Sequence, residues 1–410
     1  MSRQECLLPK GELMRGRIFW AMLGFFLAFE VSAKELGRIK ILTYNVFGVL
    51  VAPARKARME KIGEEIAELN PDVIGFQEAF EARHRRALVE SLERSGWGKA
   101  YEFYQKKWYG PGAWIVSRYP LLEVKMRFYP VNGTALDSDY YGKKGVAYAR
   151  VKTPFGPLDF FTTHLIARYT GLYDRQGNLR ENDWLKVDRL LQAEQAAWFI
   201  QNSNSGSGAR SLVAVGDFNS PPALLEYKLF QELSGLNNVA DETPIQNCSG
   251  ELEDCKLSER IDHIFYQNYS GPSGFYLKPV RTELVFYHQV PTRAGKIKLS
   301  DHNGLLTEFA VLSADDPEAK ISDRTRAGIS LMAQAGSENF SGLKAQLSGG
   351  DNVIKDPVWK VFAVKTLDQF NQDQNREEKV VITLAKILTA DQPLALDQGE
   401  VEQVRELLAP

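Results

Sequence analysis

Hydrophobic and polar positions along this chain alternate between two periods, and each change of period marks an element. Lys40–Gly48 (KILTYNVFG) is rich in β-formers and stops at glycine, which predicts a strand. In the next stretch Met59, Ile62, Ile66 and Leu69 recur at helical spacing, and Asn70-Pro71 closes the helix they predict. Asp72–Gln77 (DVIGFQ) is a short apolar run, the pattern of a buried strand. Ala113–Ser117, Gly145–Lys152 and Pro157–Thr163 read as further strands. A helix follows in which Val187, Leu190, Leu191, Ala197 and Trp198 share a face, with Glu194 intruding on it. Ser211–Val215, Arg260–Tyr266, Phe275–Arg281 and Gly304–Val311 complete the strands. They are too numerous and too irregularly linked for a strict βαβ array, so the pattern predicts an α+β layered fold.

Both ends depart from this texture. Arg15 and Arg17 precede the apolar run Ile18–Val31, and the small triplet Val31-Ser32-Ala33 follows. That order predicts a secretory signal peptide over residues 1–33, with Met14 as an alternative start and Glu30 as an interruption. The competing reading is a membrane anchor, but the run falls short of the roughly 20 apolar residues a spanning helix needs. The expectation is therefore a secreted or periplasmic protein. From about Leu312 the chain turns polar: 313–323 reads as a linker, 337–351 is rich in Gly and Ser, and Val380–Leu388 and Glu400–Leu408 read as helices. The domains expected are a central one over 34–312 and a small helical extension over 313–410 that carries no chemical motif.

Composition changes this picture little. The chain has 410 residues, 44% hydrophobic and 25% charged, as an ordinary folded protein does. Its net charge of -2 lacks the positive field that draws in nucleic acid, which speaks against that partner. Three cysteines are too few for a disulfide framework. Cys248 and Cys255, seven positions apart in a polar stretch, can pair and pin that loop if the chain is exported.

Six short motifs carry the candidate chemistry, each placing polar groups at a strand end: Thr43-Tyr44-Asn45-Val46, Gly75-Phe76-Gln77-Glu78, Thr162-Thr163-His164-Leu165, Gly216-Asp217-Phe218-Asn219, Arg260-Ile261-Asp262-His263 and Ser300-Asp301-His302. Singly, each reads as a turn former or a hydrogen-bonded core residue. Together they bring carboxylates, amides and imidazoles in a set that suits Mg²⁺, which takes oxygen ligands and needs only one or two carboxylates besides substrate phosphate. Histidine serves as a general base near neutral pH, and a carboxylate can orient its ring.

The order Asn, Gln-Glu, His, Gly-Asp-Phe-Asn, Asp-His and Ser-Asp-His resembles the endonuclease/exonuclease/phosphatase superfamily over roughly residues 38–311. The resemblance implies a four-layer α/β/β/α sandwich, like deoxyribonuclease I, and a Mg²⁺-dependent hydrolase, with Mn²⁺ or Co²⁺ as alternative ions. By the same resemblance Glu78 binds the metal, with Asn45 beside it and Asp301 supporting the site. His302 is the general base, and Asp262 holds its ring. Asp217 orients the attacking water, Asn219 stabilises the phosphoryl transition state, and His164 hydrogen-bonds a phosphate oxygen.

Within the superfamily the chain is most similar to the neutral sphingomyelinases. Asn45-Val46-Phe47-Gly48 resembles their Asn-x-(Trp/Phe)-Gly, and Thr163-His164-Leu165-Ile166-Ala167 resembles their Thr-His-Leu-x-Ala. Asp139 and Lys144 resemble the Asp/Lys pair that those enzymes use as a switch near the active site. The implied substrate is sphingomyelin or a related phospholipid at a membrane surface, with no obligate protein partner. Arg168 stands where that family commonly has an acidic residue, which points toward an anionic headgroup, and the polar stretch 169–183 has no counterpart. Trp108-Tyr109, Tyr140-Tyr141 and Tyr169 with Tyr173 are candidate lipid contacts. The alternatives are an inositol-polyphosphate phosphatase, a secreted nuclease, or a binding protein on the same fold without catalysis.

Overall fold

A computed structural model describes residues 35–313 apart from 106–109, 130–141, 169–171, 174–178, 181–184, 204–209, 249–255, 257–258, 269–273 and 293–294. The expected leader, the tail beyond 313, Asp139, Cys255, Trp108-Tyr109, Tyr140-Tyr141 and Tyr169 lie outside the described residues, and of the 169–183 stretch only the backbone of 172–173 and 179–180 lies inside. Cys248 is disulfide-bonded.

In chain order the first elements are β1 (Glu35–Asn45), α1 (Arg55–Leu69), β2 (Val73–Gln77), α2 (Ala82–Leu92), β3 (Tyr101–Phe103), β4 (Trp114–Ser117) and β5 (Leu121–Phe128). Then come β6 (Gly145–Thr153), β7 (Gly156–His164), the short β8 (Leu172–Tyr173) and β9 (Leu179–Arg180), α3 (Lys186–Ser203), β10 (Leu212–Asp217) and α4 (Leu225–Ser234). The last are β11 (Asn237–Asn238), α5 (Val239–Glu242), β12 (Ile245–Gln246), β13 (Asp262–Gln267), β14 (Phe275–Val285), the hairpin β15 (Gln289–Thr292) and β16 (Gly295–Lys298), and β17 (Gly304–Ser313).

Two mixed sheets dominate. One has seven strands in the order β12-β14-β17-β1-β2-β4-β3, the other six in the order β11-β13-β10-β7-β6-β5. Strand periodicity explains how they meet. Ile39 and Ile41 of β1, Val73 of β2 and Ile115 of β4 pack against Phe160, Val213, Val215 and Ile264 of the other sheet. The residues of opposite parity, Leu42, Tyr44, Ile74, Phe76 and Trp114, face outward onto Met59, Ile62 and Ile66 of α1 and Leu88 of α2. On the other side Phe199 of α3 stacks edge-on to Phe161 of β7, with ring centroids 6.2 Å apart, and Phe230 of α4 lies 5.0 Å from Phe265 of β13. Helices thus cover both outer faces, which makes the four-layer α/β/β/α sandwich that the resemblance implied.

Some elements differ from the expectation. α1 begins four residues before Met59, and its C-cap Asn70 is left-handed with its N–H on the Ile66 carbonyl. The buried face of α3 includes Arg189, Gln192, Glu194 and Gln195, so it is far more polar than its apolar positions suggest. α2, β5, α4 and the β15–β16 hairpin are not picked out by the periodicities above; in β5 the apolar positions are only half-buried or exposed, as befits an edge strand.

Candidate active site

The residues of the six motifs converge because strand parity and strand direction act together. On β1 the inward line Ile39, Ile41 continues to Thr43 and Asn45; on β10 Val213, Val215 continues to Asp217; on β7 Leu158, Phe160 continues to Thr162 and His164. β7 runs parallel to β10, pairing His164 with Asp217. β13 is antiparallel to β10, so its first residue, Asp262, pairs with Asp217. Likewise β17 is antiparallel to β1, which returns the turn before it, Ser300-Asp301-His302, to the same edge. Asp262 and His302 therefore stand at strand beginnings, the others at strand ends.

Asp217 is the hub. Its Oδ2 accepts a hydrogen bond from Asn45 Nδ2 at 3.0 Å and lies 3.3 Å from His164 Nε2 and 3.6 Å from His302 Nε2. Its Oδ1 accepts from the Asn219 N–H at 2.9 Å, which fixes the carboxylate on both sides. Gly216 makes this geometry possible: its φ is +154°, and a Cβ there would come within 2.1 Å of the Thr163 carbonyl oxygen.

His302 Nδ1 donates to Asp262 Oδ2 at 2.7 Å, leaving Nε2 aimed at Asp217 and at Asn45 Nδ2, 3.4 Å away. Burial works against a charged His302 ring, but Asp262, Asp217 and Asp301 outweigh it and hold its pKa well above the usual range. His164 is the opposite case. Burial and the neighbouring Lys144 push its pKa well below the usual range, so it is neutral. Lys144 Nζ donates to His164 Nε2 at 2.9 Å and to the Leu165 carbonyl at 2.9 Å. An ammonium only donates, so His164 carries its proton on Nδ1, a buried atom with no hydrogen-bond partner. The nitrogen nearest the centre is thus taken by Lys144, not free to donate to phosphate. Asn219 is similarly engaged: Nδ2 donates to the Leu165 carbonyl at 2.9 Å, and φ is +50°.

Glu78 follows β2 in the left-handed region, φ +56°, and its Oε2 is buried without a hydrogen-bond partner. Burial pushes its pKa up to about 7, against the pull of Lys144, Asn45 and His302. A desolvated carboxylate of this kind, hydrogen-bonded to Asn45 and near enough to Asp217 for that charge to raise its pKa, fits a hard divalent cation. Glu78 and Asn45 would hold it. Asp301 is placed differently: it is exposed, accepts from Ser300 Oγ at 3.2 Å, and lines a cleft with Phe47, Pro53 and Ala54. Among the described residues, the ligand atoms of Asp217, Asp262 and His302 lie within 4.8 Å of one another, and neither Asp301 nor Glu78 belongs to that group.

Several supporting residues escape the motif reading. The buried Arg58 donates from Nη1 to the carbonyls of Val46 at 2.9 Å and Leu299 at 2.6 Å, and from Nη2 to Phe47 at 2.6 Å. It ties the loop after Asn45 to the turn before His302. Its signal was present: Arg58 precedes Ile62 and Ile66 at intervals of four, an arginine on the apolar stripe of a helix. Gln77 bridges the sheets, donating to Thr162 Oγ1 at 2.9 Å. Arg189 pairs with Glu226 at 2.8 Å and donates to the Ala167 carbonyl at 3.2 Å, steadying the loop after His164. His263, the histidine beside Asp262, points to the outer face, where its Nε2 donates to the Ser220 carbonyl at 3.0 Å.

Residues 42–302 match the Endonuclease/Exonuclease/phosphatase family. The chain is similar to a Drosophila melanogaster protein assigned as a neutral sphingomyelinase, 26% identical over 69% of this chain and 64% of that one. It is 24% identical to sphingomyelin phosphodiesterase 2 of Homo sapiens over 67% of this chain and 65% of that one. It is 27% identical to inositol phosphosphingolipids phospholipase C of Schizosaccharomyces pombe, over 51% of this chain and 47% of that one. The chain thus spans less than two-thirds of each relative's length. Its fold is similar to that of a beta toxin from Staphylococcus aureus, with a TM-score of 0.50 and 18% identity over 66% of this chain and 99% of that one.

Proposed function

Because the chain belongs to the endonuclease/exonuclease/phosphatase family, we propose that it is a divalent-cation-dependent phosphoric diester hydrolase acting on the headgroup phosphodiester of a sphingolipid. The observation that carries this reading is the His302–Asp262 pair at 2.7 Å, whose Nε2 faces Asp217 and Asn45 beside the Glu78 carboxylate, one oxygen of which, Oε2, is buried without a hydrogen-bond partner. The ring acts as base only once deprotonated at Nε2: in that form His302 Nε2 takes a proton from water as its oxygen attacks phosphorus, and Asp262 orients the ring and stabilises the imidazolium that forms. The bond from phosphorus to the lipid oxygen breaks in line, the departing alkoxide takes a proton from solvent to become the lipid alcohol, and no covalent enzyme intermediate forms. Asp217 positions the water. When bound, Mg²⁺ supplies positive charge beside the phosphoryl oxygens and offsets Glu78.

The substrate assignment rests on the relatives, two of which are named for sphingomyelin cleavage and one for inositol phosphosphingolipids. Sphingomyelin, giving ceramide and phosphocholine, is the first reading. An anionic inositol-phosphate headgroup is the second, favoured by Arg168, which is exposed in the loop after His164. The whole chain, incubated with Mg²⁺ and vesicles holding both lipid classes, should release one headgroup phosphate, detected by mass spectrometry and abolished by EDTA. Turnover of DNA or free inositol phosphates alone would sink the lipid assignment. Export through residues 1–33 is part of the proposal, and fractionating cells that express the full chain tests it.

A further inference from the structure

The two most exposed large apolar side chains among the described residues are neighbours. Val51 is 88% and Leu50 64% exposed, on a turn closed by the Ala52 N–H donating to the Val49 carbonyl at 3.1 Å. Scattered apolar side chains on a surface need no explanation, but this pair is not scattered. The turn springs from the loop that follows Asn45, and the residues flanking it, Phe47 on one side and Pro53 with Ala54 on the other, line a cleft of about 320 Å³. Ile297 and Lys298 of β16 also line the cleft, with Ser300 and Asp301 of the turn that carries His302. The bared tip, the cleft and the base thus share one edge of the sandwich. Exposed lysines lie near the same edge: Lys298 lines the cleft, Lys296 is exposed on the same hairpin, and the exposed Lys56, one residue into α1, pairs with Glu60 at 3.7 Å.

We propose that the Val49–Ala52 turn is an interfacial anchor that enters the outer part of a lipid bilayer and brings the catalytic edge down onto its substrate. A bared apolar tip on an edge that also carries exposed lysines is the chemistry of peripheral membrane contact: the tip gains by leaving water, and ammonium groups such as that of Lys298 meet lipid phosphates. The occupant is a lipid surface, because Leu50 and Val51 stand out from the molecule and pack into no groove that a peptide would fill. The anchor rests on the lipid reading of the active site, and it extends that reading to a docking residue pair outside the catalytic set.

Two readouts separate the anchor from the activity. The full chain carrying His302→Ala, so that nothing is hydrolysed, is sedimented with phosphatidylcholine/sphingomyelin vesicles, with and without Leu50→Ser plus Val51→Ser. Removing both side chains should lower vesicle partitioning by about tenfold or more, since two buried aliphatic groups exceed the energy of one decade. A Leu50→Trp chain should partition more strongly than the parent, which guards against a loss caused by misfolding. In the turnover-competent chain, hydrolysis of water-soluble bis(p-nitrophenyl) phosphate should be unchanged by the double serine substitution. Unchanged partitioning, or an equal loss on the soluble diester, would overturn the anchor. A parent chain that binds vesicles through this turn but hydrolyses no phosphodiester would overturn the function and leave the anchor standing.

Discussion

At His302 two opposed forces set the proton. Burial favours the neutral ring, whereas Asp262, Asp217 and Asp301 favour the charged one and prevail. Replacing His302, the proposed base in its deprotonated form, by Ala should cost about 10²–10⁴ in kcat. Asp262→Asn tests the electrostatics instead. Without that carboxylate the ring loses its largest source of positive bias, so its pKa falls and the acid limb of kcat/KM against pH should move to lower pH, together with a loss in rate. An acid limb that stays in place would mean that Asp262 only orients the ring. Glu78 offers a second sign to check. Its pKa is raised from 4.5 to about 7, so the cation-free folded state binds a proton that the unfolded chain has released. Stability is then lost as pH rises between those values, by an amount on the order of 3 kcal/mol. Glu78→Gln should be more stable than the parent in urea at pH 8 with EDTA, and nearly equal to it at pH 5. Equal stability at both pH values would show that Glu78 is solvated in the folded protein.

The elements position these groups through contacts the motifs do not contain. Arg58 is the clearest case, because it reaches from α1 to backbone carbonyls on two catalytic loops. Lysine at this position keeps the charge but cannot fork between them. We expect Arg58→Lys to lower kcat by about tenfold or more while the far-ultraviolet circular dichroism is retained, since small misplacements of a reacting group are costly. An unchanged kcat would leave Arg58 a stability residue only. What could be read along the chain follows from this division. The pattern found β1, α1, β2, β7, β10 and β17, because each is either a short apolar run buried on both faces, as β2 and β10 are, or carries a regular apolar face. It missed α2 and α4, whose polar residues dilute the stripe, and the β15–β16 hairpin, whose charged face hides its one buried apolar side chain, Val290. The motifs located Asn45, Asp217, Asp262 and His302 together, because those residues end or begin paired strands. Side-chain partners were not legible: nothing local shows that Lys144 would occupy His164 Nε2, or that Asp301 would turn outward to the cleft.

On the scale of the molecule, the site is a seam. Asn45 and Glu78 come from the seven-stranded sheet, and His164, Asp217 and Asp262 from the six-stranded one. Their inward parity makes the inter-sheet core continuous with the catalytic edge, where apolar pairs give way to Gln77, Thr162 and then to charge. A cation held at Glu78 would act on both halves. It relieves a buried carboxylate on one sheet and attracts Asp217 on the other, so it should stabilise the whole sandwich, not one loop. Binding to the folded state alone adds about 2.7 kcal/mol when the cation is at a hundred times its dissociation constant. Mg²⁺ should therefore raise the midpoint of a single cooperative thermal transition, measured by calorimetry at pH 8 with the Mg²⁺ concentration varied. Glu78→Gln should abolish most of that increase, while the cation-free variant melts above the cation-free parent. If Mg²⁺ instead raised the midpoint of both chains equally, the ion would be held elsewhere, at the Asp217, Asp262 and His302 group. The carboxylate at Glu78 would then have to find its compensation in the substrate itself.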